Sequence, residues 1–286
     1  MIAITGGTGF VGRHLVARLL QHGERVRLLA RHPADLPGVE LVRGDITDLS
    51  SFADSLEGCR AVIHLVGIIR ERGRDTFKRL HIRGTHNVVQ ACKEAGVTRL
   101  LHMSALGARP HAASRYHRSK WKAEEIVRAS GLEATIFRPS IIFGAGNAFL
   151  PQIRDLLTRG PLIPVIGGGL TLLQPIWVED VVSCFVGALE KAETIGRAYE
   201  LGGPEAYGFE QLIDLIAEAD GIHKPKVHLP PLLLRPVAAV MSRLSPEFPL
   251  TPDQLTLLLE DNVCDITEMR DTFGITPAPL PEHLSD

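Results

Sequence analysis

Eight residues, Thr5-Gly6-Gly7-Thr8-Gly9-Phe10-Val11-Gly12, limit what this chain can become more than any others. A short apolar run, Met1–Thr5, leads into them, and a helical pattern, Gly9–Gln21, leads out. A glycine-rich turn between strand and helix is the setting in which such a motif binds a dinucleotide. A diphosphate needs closely packed backbone N–H donors. Glycine lets the main chain turn tightly and approach with no Cβ in the way. The helix N-terminus adds unpaired N–H groups and the positive end of its dipole.

Short apolar runs then alternate with helical periodicity. Strands are predicted over 1–5, 25–30, 40–43, 61–66, 99–104 and 134–138, and helices over 9–21, 51–56, 76–95 and 119–129. Near-continuous apolar strands alternating with helices imply a parallel sheet covered on both faces. The fold class is therefore α/β, a doubly wound parallel sheet of the Rossmann type, with its ligand crevice outside the carboxyl ends of the strands. After Phe143 glycine and proline punctuate the chain. A helix over 178–191 and a strand over 198–201 return to the first pattern, and helices over 209–219 and 253–259 follow a different one. Residues 1–145 with about 171–202 are read as the dinucleotide-binding domain. Residues about 146–170 with 203–286 are read as a smaller, discontinuous substrate domain over the crevice.

At 286 residues the chain can bury a substantial core. A formal net charge of -2 gives no case for nucleic acid. Cys59, Cys92, Cys184 and Cys264 lie far apart without a CxxC, which fits reduced thiols and no metal site. With the first strand expected from Met1, no signal or transit peptide is expected. No apolar run approaches ~18 residues, so no membrane-spanning helix is expected. These readings describe a cytoplasmic protein, and nothing in them sets an oligomeric state.

An acid at the end of the second strand holds the adenine ribose hydroxyls in dinucleotide folds, and an arginine there takes a 2′-phosphate. Here Val26–Ala30 is followed by Arg31. Its planar fork grips a phosphate, so NADP(H) is favoured over NAD(H), with Arg13 as a second partner. Asp45 and Ile46, after the third strand, are expected to edge the adenine. Leu65, Val66 and Gly67, at the end of the fourth, are expected to edge the rest of the cofactor.

Tyr116 and Lys120 stand four apart, on one face of a helix. A phenol is a poor base near neutral pH, and a nearby ammonium favours its phenolate. Ser104, closing the fifth strand, is expected to orient a substrate oxygen. The three are predicted to move a proton at a carbonyl or alcohol while a nicotinamide carries the hydride.

The glycine run, Ser104, Tyr116 and Lys120 together resemble the short-chain dehydrogenase/reductase superfamily, in its extended or atypical branch. Arg138-Pro139-Ser140-Ile141-Ile142-Phe143-Gly144 is similar to that branch's segment lining the nicotinamide. Gln174-Pro175-Ile176-Trp177-Val178-Glu179-Asp180-Val181 is similar to its second-domain signature. The wording of residues 101–104 and 114–120 is most similar to bacterial relatives of the NADPH-binding accessory subunit of respiratory complex I. It also resembles a reductase-like protein associated with ubiquinone biosynthesis. The resemblance implies a tightly bound NADPH and an association with a respiratory complex or quinone synthesis, with or without turnover. Two departures stand out. His81, in His81-Ile82-Arg83-Gly84-Thr85, replaces the asparagine of the family's Asn-x-x-Gly-Thr run, so it either replaces that residue's proton-relay role beside the cofactor or simply caps and packs. Only eleven residues, 105–115, separate Ser104 from Tyr116, which disfavours the sugar-nucleotide epimerases and dehydratases, whose loop is longer.

Asn147, Arg154, Gln174 and Trp177 are expected to wall the substrate side. Residues 229–241 are strongly apolar and flanked by Lys224, Lys226, Arg235 and Arg243. They read as a buried helix closing the substrate domain or as a membrane-facing element. The second reading suits a lipid-like small-molecule substrate and a peripheral position at the inner face of a membrane.

Overall fold

A computed structural model describes residues 1–32, 36–244 and 250–284, with no side-chain description at Arg243. Seven strands form one sheet: β1 (Ile2–Thr5), β2 (Val26–Ala30), β3 (Val39–Arg43), β4 (Ala61–His64), β5 (Arg99–Met103), β6 (Glu133–Pro139) and β7 (Ala198–Leu201). Their spatial order is β7-β6-β5-β4-β1-β2-β3, and every pairing is parallel. The order reverses beside β1, which opens a crevice at the carboxyl ends of β1 and β4.

The central strands are apolar on both sides because helices cover both faces. On one face α1 (Phe10–Gln21), α5 (Val178–Glu190) and α9 (Thr267–Phe273) bury Leu15, Val16, Val181, Phe185 and Met269 in one cluster with Ile4 of β1, Leu28 of β2, Phe137 of β6 and Tyr199 of β7. On the other, α2 (Gly84–Glu94) and α3 (Arg115–Arg128) bury Val88, Cys92 and Val127 with Val62 and Leu100. A third apolar cluster lies apart from the sheet. It joins α4 (Phe149–Thr158) and α6 (Phe209–Ala219) through Leu150, Leu157, Phe209, Leu212 and Ile216, with Leu280 from near the carboxyl end.

Two predicted helices differ in form. The helix expected over 76–95 opens with a π-helical stretch, Lys78–Arg83, before α2 begins. The helix expected from Ser119 begins at Arg115, because the Ser114 hydroxyl accepts from the His117 amide and caps it. Residues 229–241 fall largely in α7 (Pro231–Leu244), which packs on α8 (Pro252–Leu258). The expectation of a buried closing helix is not met: Leu232, Leu233, Val237, Val240 and Leu244 stand exposed.

Candidate active site

A cleft of about 990 Å³ runs along the carboxyl ends of β1 and β4. Gly6, Thr8, Gly9, Phe10, Val11 and Gly12 line it, as do Arg31, Asp45, Ile46, Leu65, Val66 and Gly67. Thr5, Gly7 and Arg13 are not part of the lining; Thr5 is buried, and the exposed Arg13 donates through Nε to the Thr8 carbonyl at 3.0 Å. The glycines are there for space. Gly6 has φ +80° and a Cβ on it would stand 2.9 Å from the Val66 nitrogen. A Cβ on Gly12 would fall inside the backbone of Gly6 and Gly7. The N-cap of α1 is Gly9, with no side-chain acceptor and no acid in the first turn. The first-turn N–H groups are thus left to an anion, and the cradle fits a dinucleotide diphosphate.

Neither Tyr116 nor Lys120 is part of the lining: Lys120 is buried behind Gly67, and Tyr116 is half-buried one helical turn away. A Cβ on Gly67 would stand 2.9 Å from the Lys120 Nζ, so the missing side chain gives the ammonium its place. Lys120 donates to the Met103 carbonyl at 2.9 Å, and burial lowers its pKa to about 8, offset in part by Glu124. The Tyr116 ring packs edge-on against Phe77 and His81, with centroids 5.9 and 5.8 Å away. Burial pushes its phenol up. That is opposite to the direction expected from a lysine neighbour, because the ring is dehydrated while the ammonium faces a carbonyl. The Asp253 carboxylate, from the distant α8, accepts from the Arg115 and Tyr116 amides at 2.7 and 3.1 Å and fixes the start of α3.

The geometry gives Ser104 a role other than the expected one. Its hydroxyl is buried and donates to Glu124 Oε1 at 2.6 Å, and Arg138 grips the same carboxylate through Nε and Nη2 at 2.9 and 2.7 Å. Its neighbour Met103 lines the cleft and Ser104 does not.

His81 is a strut. Its Nε2 accepts from the Ile68 amide at 2.9 Å, which leaves the proton on Nδ1, and Nδ1 then donates to the Ser119 Oγ at 2.7 Å. Ser119 in turn donates to the Tyr116 carbonyl at 2.7 Å. The cleft loop after β4 is thereby tied to the helix of Tyr116 and Lys120. Burial, with the Lys120 charge, holds the His81 pKa down at about 2.

The four expected substrate-wall residues are employed elsewhere, and none of them lines the cleft. Arg154 pairs with Asp220 at 2.8 Å and donates to the Leu284 carbonyl. Gln174 staples the Gly203 carbonyl to the Cys264 amide. Trp177 stacks on His283 with centroids 4.2 Å apart. Asn147 donates to the Gly144 carbonyl and accepts from the Leu150 amide at 2.9 Å, closing its turn. The Pro139–Ile141 stretch likewise lies outside the lining, with Ser140 donating to Asn262 Oδ1 at 2.6 Å. In their place Gln152 and Asp155 of α4, Arg159 just after it and Gln254 of α8 face the cleft. Their helical spacing reads only as an amphipathic face in the sequence. Arg31 does reach the cleft, and its Nη1 donates to both oxygens of Asp75 at 3.2 and 3.1 Å.

Beneath the cleft lies a buried polar stack that has no sequence signature. His64 bridges Thr5 and Thr85, with its Nδ1 2.6 Å from Thr5 Oγ1 and its Nε2 3.1 Å from Thr85 Oγ1. His102 stacks on His64 at 5.3 Å, and neither of its ring nitrogens meets a protein partner among the described residues.

Comparison with known proteins follows the same lines. A model described as the NAD dependent epimerase/dehydratase family matches residues 2–202. NADH dehydrogenase (ubiquinone) 1 alpha subcomplex subunit 9 of Arabidopsis thaliana is 31% identical over 225 residues, covering 74% of this chain and 56% of that protein. The ceramide reductase of Caulobacter vibrioides is 36% identical over 192 residues, covering 65% of this chain and 60% of that protein. The chain thus spans less than two thirds of either relative. The solved structure of gox2253 superposes with a TM-score of 0.79 at 26% identity, over 100% of this chain and 96% of that one.

Proposed function

Because this chain belongs to the NAD dependent epimerase/dehydratase family, whose model covers residues 2–202, we propose that it is an NADP(H)-dependent oxidoreductase acting on a carbonyl or alcohol of an apolar, lipid-like molecule, a quinone being one such substrate. The observation that carries the reading is Lys120, held against Gly67 at the cleft wall with Tyr116 one helical turn away. When bound, the nicotinamide supplies the hydride. Everything else falls to this chain. The glycine turn and the first-turn amides of α1 hold the diphosphate, and Arg31 holds the 2′-phosphate. Tyr116, a phenol protonated near neutral pH and pushed further that way by burial, donates its proton to the substrate oxygen, which is the form a reduction requires. Lys120 carries positive charge behind it and stands where the nicotinamide ribose is held. The smaller body around α4 and α6 serves as the substrate domain.

Leu65, Val66, Ile68, Ile69, Leu80 and Met103 make the cleft wall apolar, which supports a lipid-like substrate. So does the likeness to a ceramide reductase. The exposed face of α7, with Arg235 beside it, supports docking at a membrane from which such a substrate is drawn. Among the described residues no helix is long and apolar enough to cross one. The test is single-turnover oxidation of bound NADPH by quinones and by long-chain aldehydes and ketones. Tyr116→Phe is expected to abolish it while NADPH remains bound.

The likeness to a complex I subunit favours a second reading, in which the nucleotide stabilises an assembly component and nothing turns over. That reading gains if every acceptor leaves NADPH reduced and Tyr116→Phe alters neither partner binding nor stability. Sugar-nucleotide epimerisation or dehydration is disfavoured by the short segment between Ser104 and Tyr116.

A further inference from the structure

The sequence shows no acid at the end of β2, yet the fold brings one there from 44 residues away. Asp75 belongs to a strap, residues 71–77, that follows the cleft-lining Ile68, Ile69 and Arg70 and adds Arg72 to the lining. Arg72 and Asp75 exchange backbone hydrogen bonds at 3.0 and 2.9 Å across Gly73, which has φ +54°. The strap is pinned at both ends. Glu71 accepts from the Phe77 amide at 2.9 Å and pairs with Arg115 at 2.9 Å, one residue before Tyr116. At the other end Asp75 takes Arg31. Behind that pair lies a second cavity of about 560 Å³, lined by Arg31, Arg43, Arg74 and Arg79 against Asp45 and Asp75. It shares Arg31, Gly44 and Asp45 with the main cleft. Four guanidiniums facing two carboxylates make a bowl suited to a dianion.

We propose that Asp75 is a cofactor-selecting residue: it occupies Arg31 as an internal stand-in for the adenosine 2′-phosphate, so that a dinucleotide carrying that phosphate takes the guanidinium over and frees the strap. This rests on the NADP(H) reading above. A monoester phosphate brings close to two charges and three acceptor oxygens, against one charge and two oxygens on Asp75. The Arg31–Asp75 pair is solvent-exposed, with side chains 48% and 33% accessible, so its hold is weak enough to lose that exchange. A ribose hydroxyl carries no charge, so NADH leaves the pair in place. Asp75 also repels the incoming phosphate, and it therefore sets the margin between the two cofactors.

The test is calorimetric titration of the full chain with NADPH and with NADH, in the wild type, Asp75→Asn and Arg31→Ala. Hydrogen exchange of the 70–77 backbone is followed in parallel. Asp75→Asn is expected to tighten NADPH about threefold to tenfold and to move NADH by less than about twofold. In the wild type, NADPH is expected to speed exchange in the strap and NADH is not. If Asp75→Asn leaves NADPH within about twofold of wild type while Arg31→Ala weakens it at least about tenfold more than NADH, the selector is refuted and the cofactor reading stands. If Arg31→Ala weakens both cofactors equally, both fall.

Discussion

Lowering the pH from 6.5 to 5.0 is expected to remove a large part of this protein's stability, and the source is the histidine stack beneath the cleft. His64 and His102 are completely enclosed and His81 nearly so. Burial, the largest cause in each case, holds His64 down at about 3, His81 at about 2, and His102 well below its ordinary 6.5. Unfolded imidazoles titrate near 6.5, so between that pH and 5.0 the unfolded chain takes up protons that the native chain refuses. Stability therefore falls as pH falls through this window. Each fully refused proton costs about 1.4 kcal/mol per pH unit, and integrating from the unfolded value gives about 1.7 kcal/mol per histidine by pH 5.0. That figure requires only that the native values lie well below 5. Three such rings cost about 5 kcal/mol, the order of a whole domain's stability. Most carboxylates titrate below the window, so the histidines dominate it. The assay is urea unfolding followed by circular dichroism at pH 6.5 and 5.0, in the wild type and His102→Leu. Among the described residues the ring of His102 has no hydrogen-bond partner to lose. Its replacement is expected to reduce the pH-linked loss by about a third, leaving about 3.3 kcal/mol. Equal stability at the two pH values in the wild type would refute the reasoning, as would an unchanged loss in His102→Leu.

Gly67→Ala is expected to displace the Lys120 ammonium and weaken cofactor binding and turnover at least about tenfold, with a melting shift of only a few degrees because the obstructing atom ends a flexible side chain. Calorimetry beside thermal unfolding separates the two effects. Gly12→Ala meets backbone instead and is expected to cost about 2 kcal/mol or more in urea, with loss of dinucleotide binding. Ser104→Ala removes one hydrogen bond to a charged group that Arg138 still satisfies, so about 1–2 kcal/mol of stability is expected to go while kcat stays within about threefold. A hundredfold fall in kcat would return Ser104 to the proton chemistry.

The parts of this molecule legible in its sequence are those whose causes are local. The glycine turn requires a positive φ at Gly6 and backbone contact at Gly12, and both needs are written in consecutive residues. The sheet follows from period and composition, because strands buried on two faces admit little polarity. The site beyond the cradle depends on contacts that no spacing encodes. Asp253 reaches the Tyr116 amide across 137 residues, and Asp75 reaches Arg31 across 44. Either acid, read in line, is one more solvated loop carboxylate. His81 is a subtler case. Its place in the chain allows either a relay or a packing role, and only the contacts decide between them: both of its nitrogens are committed, to the Ile68 amide and the Ser119 hydroxyl. Ser104 depends on a contact of the same kind: its hydroxyl is taken by Glu124, 20 residues on, while its neighbour Met103 lines the cleft. With the serine so engaged, the proposed proton transfer narrows to Tyr116. The buried acid Glu124, silent in the sequence, gives the serine its place: it accepts hydrogen bonds from the Ser104 hydroxyl and from Nε and Nη2 of Arg138, and so ties the end of β5, β6 and α3 together.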